Sequence, residues 1–405
     1  MQDLALLLAR VYVFFPVSRR LYLVSESMLY WRLSGFYFFY FATIGALIPY
    51  WGLYLQSIGF TPLQIGELMS LLLLSRIVAP NIWSWVADHR GQRLAIVRLA
   101  ALLAVVTFGG VFLGTAFVWL ALVMLVFAFF WDACLPQLEA TTLDHLEGRS
   151  GAYARIRLWG SVGFIVAVVG LGKALDHIQI WWLLPSLSFL LLGVWLFTLM
   201  IPESQIRAAV PASGERFYKV FLRPEVAAFL AACFLMQASH GPYYTFYSIY
   251  LAEFSYSKGV IGALWALGVV CEIGIFLIMH RVQRHTGLRQ VLMVSFGVAA
   301  VRWILIGNFP DYPLILILAQ TLHAVTFGAY HAVAIELVHR FFTGRHQCRG
   351  QAIYGSVSFG LGGAIGSFYS GLTWGSLGPT ATFGIAALCA ALAFVISAVA
   401  IKPNA

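Results

Sequence analysis

Long apolar stretches alternate with short polar ones along the whole of this chain, at a nearly even interval. Twelve of them, approximately 33–55, 63–87, 94–115, 117–138, 155–173, 180–201, 225–252, 259–280, 290–309, 312–336, 351–373 and 379–401, predict twelve helices. Each has about the 20 residues that a helix needs to cross a hydrocarbon core roughly 30 Å thick. The runs are too continuous for barrel strands, which need only about 10 residues of alternating character. The polar segments between them are short, so no large soluble domain is hidden there. The pattern predicts an all-α polytopic membrane protein.

Composition agrees. Of 405 residues, 61% are hydrophobic and only 10% charged, too few charges to cover a soluble surface of this size. A net charge of +9 invites a nucleic-acid reading, but the placement of the charges excludes it. Of the 25 Lys and Arg, 21 fall in loops and helix ends on one side, and only Lys173 and Lys258 on the other. Arg76 and Arg302 lie inside spans. That bias predicts both termini in the cytoplasm. Cys134, Cys233, Cys271, Cys348 and Cys389 lack metal-type spacing and read as packing residues. Within residues 1–27, LALLLARVYVFFPV is too short to span, is broken by Arg10 and lacks a small-residue cleavage site. It reads as a cytoplasmic or interfacial segment, and Met28 is an equally good start of translation.

A shift of 196 positions superposes the two halves. Tyr54-Leu55 falls on Tyr250-Leu251, Ile65-Gly66 on Ile261-Gly262, and Gly91 and Arg93 on Gly287 and Arg289. At a shift of 195, WGSVGF (159–164) meets YGSVSF (354–359). The expected organisation is a six-helix bundle over 28–201, a linker over 202–224, a like-oriented bundle over 225–401 and a tail over 402–405. Parallel repeats of this kind are a transporter architecture, with the site at the interface between halves that rock.

Ionisable residues inside spans cost at least about 2.5 kcal/mol each, so function is their default reading. In FGVAAVRWILI (296–306), Arg302 lies 13 residues past Arg289, about 20 Å deep. Glu272, about 13 Å from the boundary by the same rise, is its expected partner. The bland alternative is a fixed ion pair that ties two helices together. His323, with Thr326 and Tyr330, predicts a polar stripe on one helix face, and beside a carboxylate it suits a proton relay. Asp132 is also deep, with Arg76 as a candidate partner. In the seventh span, Gln237, His240, Tyr244 and Tyr247 share roughly one face, and Pro242 predicts a kink. Tyr37 and Tyr40 of the first span offer aromatic walls to a planar organic substrate. Gly355, Gly360, Gly362, Gly363 and Gly366 predict close helix packing in the eleventh.

Two resemblances sharpen this. SWVADHRGQR (84–93) resembles the signature loop of the major facilitator superfamily: Asp88, Gly91 and Arg93 match, and Ser84 stands where that family usually has glycine. The resemblance implies a gating loop. MQASHGPYYTFYSIY (236–250), ALGVVCEIGIF (266–276), VRW (301–303) and TLHAVTFGAYH (321–331) resemble the phenylpropionate permease group, relatives of the lactose permease, over nearly all of 28–401. That likeness implies a secondary transporter of a bacterial inner membrane. It also implies an aromatic carboxylate as substrate, met by Arg302. Glu139 and Arg157 stand where the lactose permease has a Glu and an Arg that contact sugar. The lactose permease also has a glutamate three residues after its histidine. Here Thr326 holds that place, so Glu272, with His323, would carry the proton.

The expected activity is proton symport of a small organic solute by a monomer, with no cofactor, metal or nucleic acid. A sugar or nucleoside permease, or a drug exporter, would share most features. A non-transporting sensor is the alternative of another class, weakened by a tail of only KPNA. The absence of a P-loop, a metal-spaced His/Glu cluster and a nucleophile elbow excludes ATP-driven transport and catalysis by this chain.

Overall fold

The computed structural model describes residues 17–146, 149–203 and 217–402, the side chains at 17–26, 88, 150, 217, 345 and 348 excepted. The first half contains α1 (Val17–Ser57), α2 (Pro62–Arg90), α3 (Arg93–Phe108), α4 (Phe117–His145), α5 (Ser150–Leu175) and α6 (Leu183–Met200). After the short α7 (Phe217–Phe221) come α8 (Pro224–Ser239), α9 (Gly241–Glu253), α10 (Lys258–His285) and α11 (Leu288–Asn308). The chain continues with α12 (Pro313–Thr321), α13 (Tyr330–Phe341), α14 (Gln347–Tyr354), α15 (Gly363–Leu377) and α16 (Pro379–Ala400). A wider π turn, Ala324–Ala329, joins α12 to α13, and another, Gly355–Gly362, joins α14 to α15.

Ten of the expected spans are long and apolar enough to cross a membrane. The other two are broken rods. The seventh parts at His240 into α8 and α9, because Pro242 supplies no N–H to the preceding turn and its ring crowds that turn's carbonyls. The eleventh is α14, its π turn and α15. The helix of the first span begins at Val17, so no backbone break separates residues 17–27 from the rest. Residues 1–16, most of the expected linker (204–216) and the tail at 403–405 lie outside the described residues.

Local chemistry sets the boundaries. Thr61 and Gln64 form a reciprocal cap on α2: Gln64 Oε1 accepts the Thr61 N–H, and Thr61 Oγ1 accepts the Gln64 N–H. Gly91 ends the same helix in the left-handed region, at φ 63°, with its N–H returned to Ala87 O. Pro224, Pro313 and Pro379 each open a helix, where a missing N–H costs nothing.

Helices α1 to α6 pack among themselves: α1 on α5 and α6, α4 on α2 and α3. In the second half, α16 packs on α11 and α8. An arginine pins the last helix of each half. Arg98 donates to Thr198 O and Ile201 O at the end of α6, and Arg289 to Ser397 O and Ala398 O at the end of α16. The 196-residue shift pairs Arg289 with Arg93 instead. Arg93 pairs with Asp144 at 3.0 Å.

Hydrogen bonds join the halves at mid-depth and at the end of the bundle opposite the termini. At that far end, Tyr50 OH donates to Lys258 O (3.3 Å) as well as to Val168 O (2.6 Å) in its own half. Asp176 accepts from the backbone N–H groups of Lys258 and Gly259. At mid-depth, Ser356 Oγ donates to Ile77 O. Close backbone approach needs small residues there: a Cβ on Gly66 would lie 2.7 Å from Gly371 Cα, and one on Gly262 2.4 Å from Val168 O. Toward the end that carries the termini, α13 and α14 pack on their own half. The expected glycine surface of the eleventh span is real for Gly360, Gly362, Gly363 and Gly366. At Gly355 a Cβ would meet nothing within 4 Å.

Candidate functional site

Three spans of the second half bring Arg302, His323 and Glu272 together, though not as expected. Arg302 does not pair with Glu272 directly. It is fully buried and donates to Ala319 O (2.8 Å), Thr326 Oγ1 (3.1 Å) and Gln320 Oε1 (3.3 Å). It also lies 3.1 Å from His323 Nδ1. The rings of Tyr243 and Trp303 cover its guanidinium at 4.4 and 4.7 Å. Glu272 sits beyond the histidine, Oε2 at 3.7 Å from His323 Nε2.

The order of contacts dictates a tautomer. A guanidinium only donates, so His323 Nδ1 must accept, and the proton of the neutral ring sits on Nε2, facing Glu272. Arg302 therefore acts as a buried post that aims the His323 N–H at the carboxylate. It is not an exposed group. Gly328 makes room for this: a Cβ there would come within 3.0 Å of Glu272 Cγ.

The π turn also changes which residues share a face. A wider turn takes a smaller angular step per residue, so positions four apart align. The rings of His323, Phe327 and His331 lie nearly parallel, with centroids 5.3 and 6.0 Å apart. The expected stripe of His323, Thr326 and Tyr330 faces α11: His323 and Thr326 both meet Arg302, and the Tyr330 ring lies 5.9 Å from that of Phe296. His331 Nδ1 lies 3.4 Å from Tyr354 OH. Sequence reading quoted His331 but did not use it.

In the first half, Glu139 accepts from Tyr153 OH (3.2 Å) and lies 3.8 Å from Arg157 Nε. The Arg157 guanidinium rests 3.9 Å over the Phe41 ring and 5.8 Å from that of Tyr37. Tyr37 donates to Thr142 Oγ1, and Tyr40 stacks on Trp131 at 4.1 Å with planes 3° apart. Glu139 and Arg157 each keep about a third of their side-chain surface open, at 35% and 33%. The antiparallel α5 and α10 meet at Val168 and Gly262. Eleven and ten residues further toward the terminal end, Arg157 comes level with Glu272. Arg76 and Asp132 do pair, Nε to Oδ1 at 3.4 Å.

The seventh span contributes less open surface than expected. His240 and Tyr247 are fully buried, His240 Nδ1 is 2.8 Å from Met236 O, and only Tyr244 is part-exposed. Of the gating loop, Gly91 and Arg93 are placed as above, and the side chain of Asp88 lies outside the described ones. No group of three or more His, Cys, Asp or Glu that could hold a metal occurs among the described residues.

Known proteins resemble this chain in sequence and in fold. A protein from Escherichia coli (strain K12) named "Probable 3-phenylpropionic acid transporter" is 30% identical over 350 residues, which is 86% of this chain and 92% of that one. The maltose permease of Geobacillus stearothermophilus is 25% identical over 81% of this chain and 83% of its own. Among solved structures, the nucleoside transporter NupG superposes with a TM-score of 0.78 at 18% identity, covering 91% of this chain and 97% of that one. The D-xylose–proton symporter superposes at 0.72 and 11% identity over 94% and 98%. A model of the "MFS_1 like family" matches residues 30–385. The chain belongs to that family and is a multi-pass membrane transporter of the major facilitator superfamily, not an enzyme.

Proposed function

We propose that this protein imports a small aromatic carboxylate together with a proton, by alternating access, across a bacterial inner membrane with both termini in the cytoplasm. The observation that carries the proposal is the ordered row Arg302–His323–Glu272. A carboxylate midway along α10, 14 residues from Lys258 and 13 from His285, is matched to an oriented histidine N–H. Such a carboxylate is costly in the bilayer unless it binds a proton or a partner in turn.

The partner is Arg157. In the state described here it leans toward Glu139, in its own half. When the terminal ends of the bundles 28–201 and 225–401 close, α5 carries it toward Glu272, which sheds its proton as the ion pair forms. Tyr37, Tyr40, Phe41 and Tyr244 give an aromatic lining suited to a phenyl ring. The substrate class is taken from the 30%-identical relative named for 3-phenylpropionic acid. Gly91, which turns the chain, and Arg93, paired to Asp144, hold the gating loop shut or open as a unit with Asp88. A single chain suffices for this cycle, with the lipid bilayer as its surroundings.

Purified protein in liposomes with an imposed pH gradient, offered 3-phenylpropionate, maltose and xanthosine separately, tests the proposal. Accumulation of 3-phenylpropionate that a protonophore abolishes is the expected result. Uptake indifferent to the gradient rejects proton coupling. Transport of the sugar or nucleoside in place of the acid rejects the substrate class.

A further inference from the structure

Three arginines stand near the middle of the bundle, and they differ in what they leave unbonded. Arg302 spends its donors on four neighbours and has no exposed surface. Arg157 is divided between Glu139 and the faces of Phe41 and Tyr37. Arg76 uses one donor. Its Nε–H meets Asp132 Oδ1 at 3.4 Å, and its two terminal nitrogens bond to none of the described residues. The side chain is 35% exposed, while Asp132 beneath it is 6% exposed.

Arg76 is also the most central. It sits 14 residues from either end of α2, about 20 Å along the helix. The turn of α2 that carries it faces the second half. Its backbone is held from the other side: Gly360 packs against Ile77, and Ser356 Oγ donates to Ile77 O. Trp131, stacked on Tyr40, precedes Asp132 on the same turn of α4, so an aromatic wall and the anchor of the guanidinium come together.

We propose that Arg76 is the carboxylate-docking residue, with Asp132 as the positioning residue that holds its Nε and turns the open Nη1/Nη2 edge toward the substrate. A guanidinium has two bonding edges. Asp132 occupies the side one, and the terminal one matches the two oxygens of a carboxylate in parallel hydrogen bonds. No bond is made or broken in docking. By the 196-residue repeat, Arg76 is the counterpart of Glu272, so substrate anion and proton load at equivalent places in the two halves. One carboxylate and one proton then enter together with no net charge. This assignment rests on the carboxylate reading of the preceding section and specifies its anchor.

The test compares binding and uptake of 3-phenylpropionate with that of its uncharged analogue 3-phenylpropanamide. Wild type is expected to prefer the acid by at least about tenfold, the scale of a charged hydrogen-bond pair. R76Q should lose that preference, and R76K should recover only part of it. Because R76Q leaves a buried carboxylate unpaired, the neutral double variant R76Q/D132N guards against simple misfolding, and it too should lose the preference while melting near wild type. D132N alone should raise KM for the acid several-fold with kcat retained, and D132E should reverse part of that. Wild-type affinity for the acid in R76Q/D132N overturns the assignment of Arg76. Unchanged KM in a folded D132N overturns the role of Asp132. A wild type that neither binds nor accumulates 3-phenylpropionate would instead bring down the substrate reading itself, before any variant is made.

Discussion

The carboxylate of Asp176, at the end of the fifth span, accepts hydrogen bonds from the backbone N–H groups of Lys258 (2.7 Å) and Gly259 (3.0 Å), which open the eighth. This contact crosses from one half of the bundle to the other, and it exploits the positive end of a helix. Partial desolvation pushes the carboxyl up, but the bonds from Gly259, Ser257 and Lys258 outweigh it and hold its pKa below the ordinary aspartate value. A depressed carboxyl pKa gives stabilisation that is complete above the unfolded value and is lost as pH falls through the folded one. The latch should therefore be intact at neutral pH and loosen only below the usual aspartate range.

Asp176→Asn should weaken the far-end seam by about 0.5–1 kcal/mol, since the site is exposed and screened by salt. Distances between spin labels on α5 and α10 at that end should broaden toward an open form at pH 7, and less so in high salt. An unaltered distribution would remove the latch from the mechanism.

Gly262 tests the same seam by volume. A Cβ there would lie 2.4 Å from both Val168 O and Tyr50 OH, a backbone atom and the tip of a buried ring. Gly262→Ala should force the far end apart, at a cost of about 1–3 kcal/mol in the closed form. Counterflow exchange should fall while binding from the far side persists. Normal exchange would mean that the seam yields cheaply.

Glu272→Gln removes the titrating carboxylate but keeps its shape. Gradient-driven accumulation should fall to simple equilibration, with exchange of internal for external substrate retained. His331→Gln and His331→Phe separate charge from stacking: both should slow proton-driven uptake if the ring titrates, whereas Phe should act like wild type if stacking alone matters. Initial rates across pH in the same liposomes check all three.

Arg302→Met should behave unlike changes at Arg76 or Arg157. It strips donors from Gln320, Thr326, His323 and Ala319 O at once, inside a sealed region. A loss of about 3 kcal/mol in stability is expected, seen as a lower Tm of detergent-solubilised protein, with KM changed little in whatever remains folded. A normal melt with a large rise in KM would return Arg302 to the substrate.

The spans were legible in the sequence because membrane crossing is a matter of length and apolarity, both local properties. The helix ends were legible where glycine and proline act, as at Gly91, Pro224 and Pro313. The depth of Arg302 and Glu272 followed from counting residues, yet their pairing did not. Counting fixes height along a helix, while contact depends on which way each face turns. The π turn after His323 resets that direction for everything beyond it, and nothing in AVTFGA announces it. Likewise the repeat aligned Arg93 with Arg289, but the structure gives the shared job of pinning a final helix to Arg98. Arg76 was only a candidate partner for Asp132 in the sequence, because depth along two helices does not say which faces meet; the structure supplies that contact.

The interruptions are confined to one side of the pseudo-repeat. Among the described residues, the helix break at His240 and the π turns Ala324–Ala329 and Gly355–Gly362 all belong to the second half, whereas α1, α2 and α4 run on through Pro49, Pro80 and Pro136 without a gap. Twin folds are thus unequal machines. The first behaves as a stiff frame, and the second contains joints: relaxing one π turn to α would twist the helix beyond it by about 100° and change the residues it offers. Conformational work during a cycle is expected to concentrate where those joints are, beside Glu272 and His323, leaving the cradle of Arg76 and Asp132 as the fixed jaw.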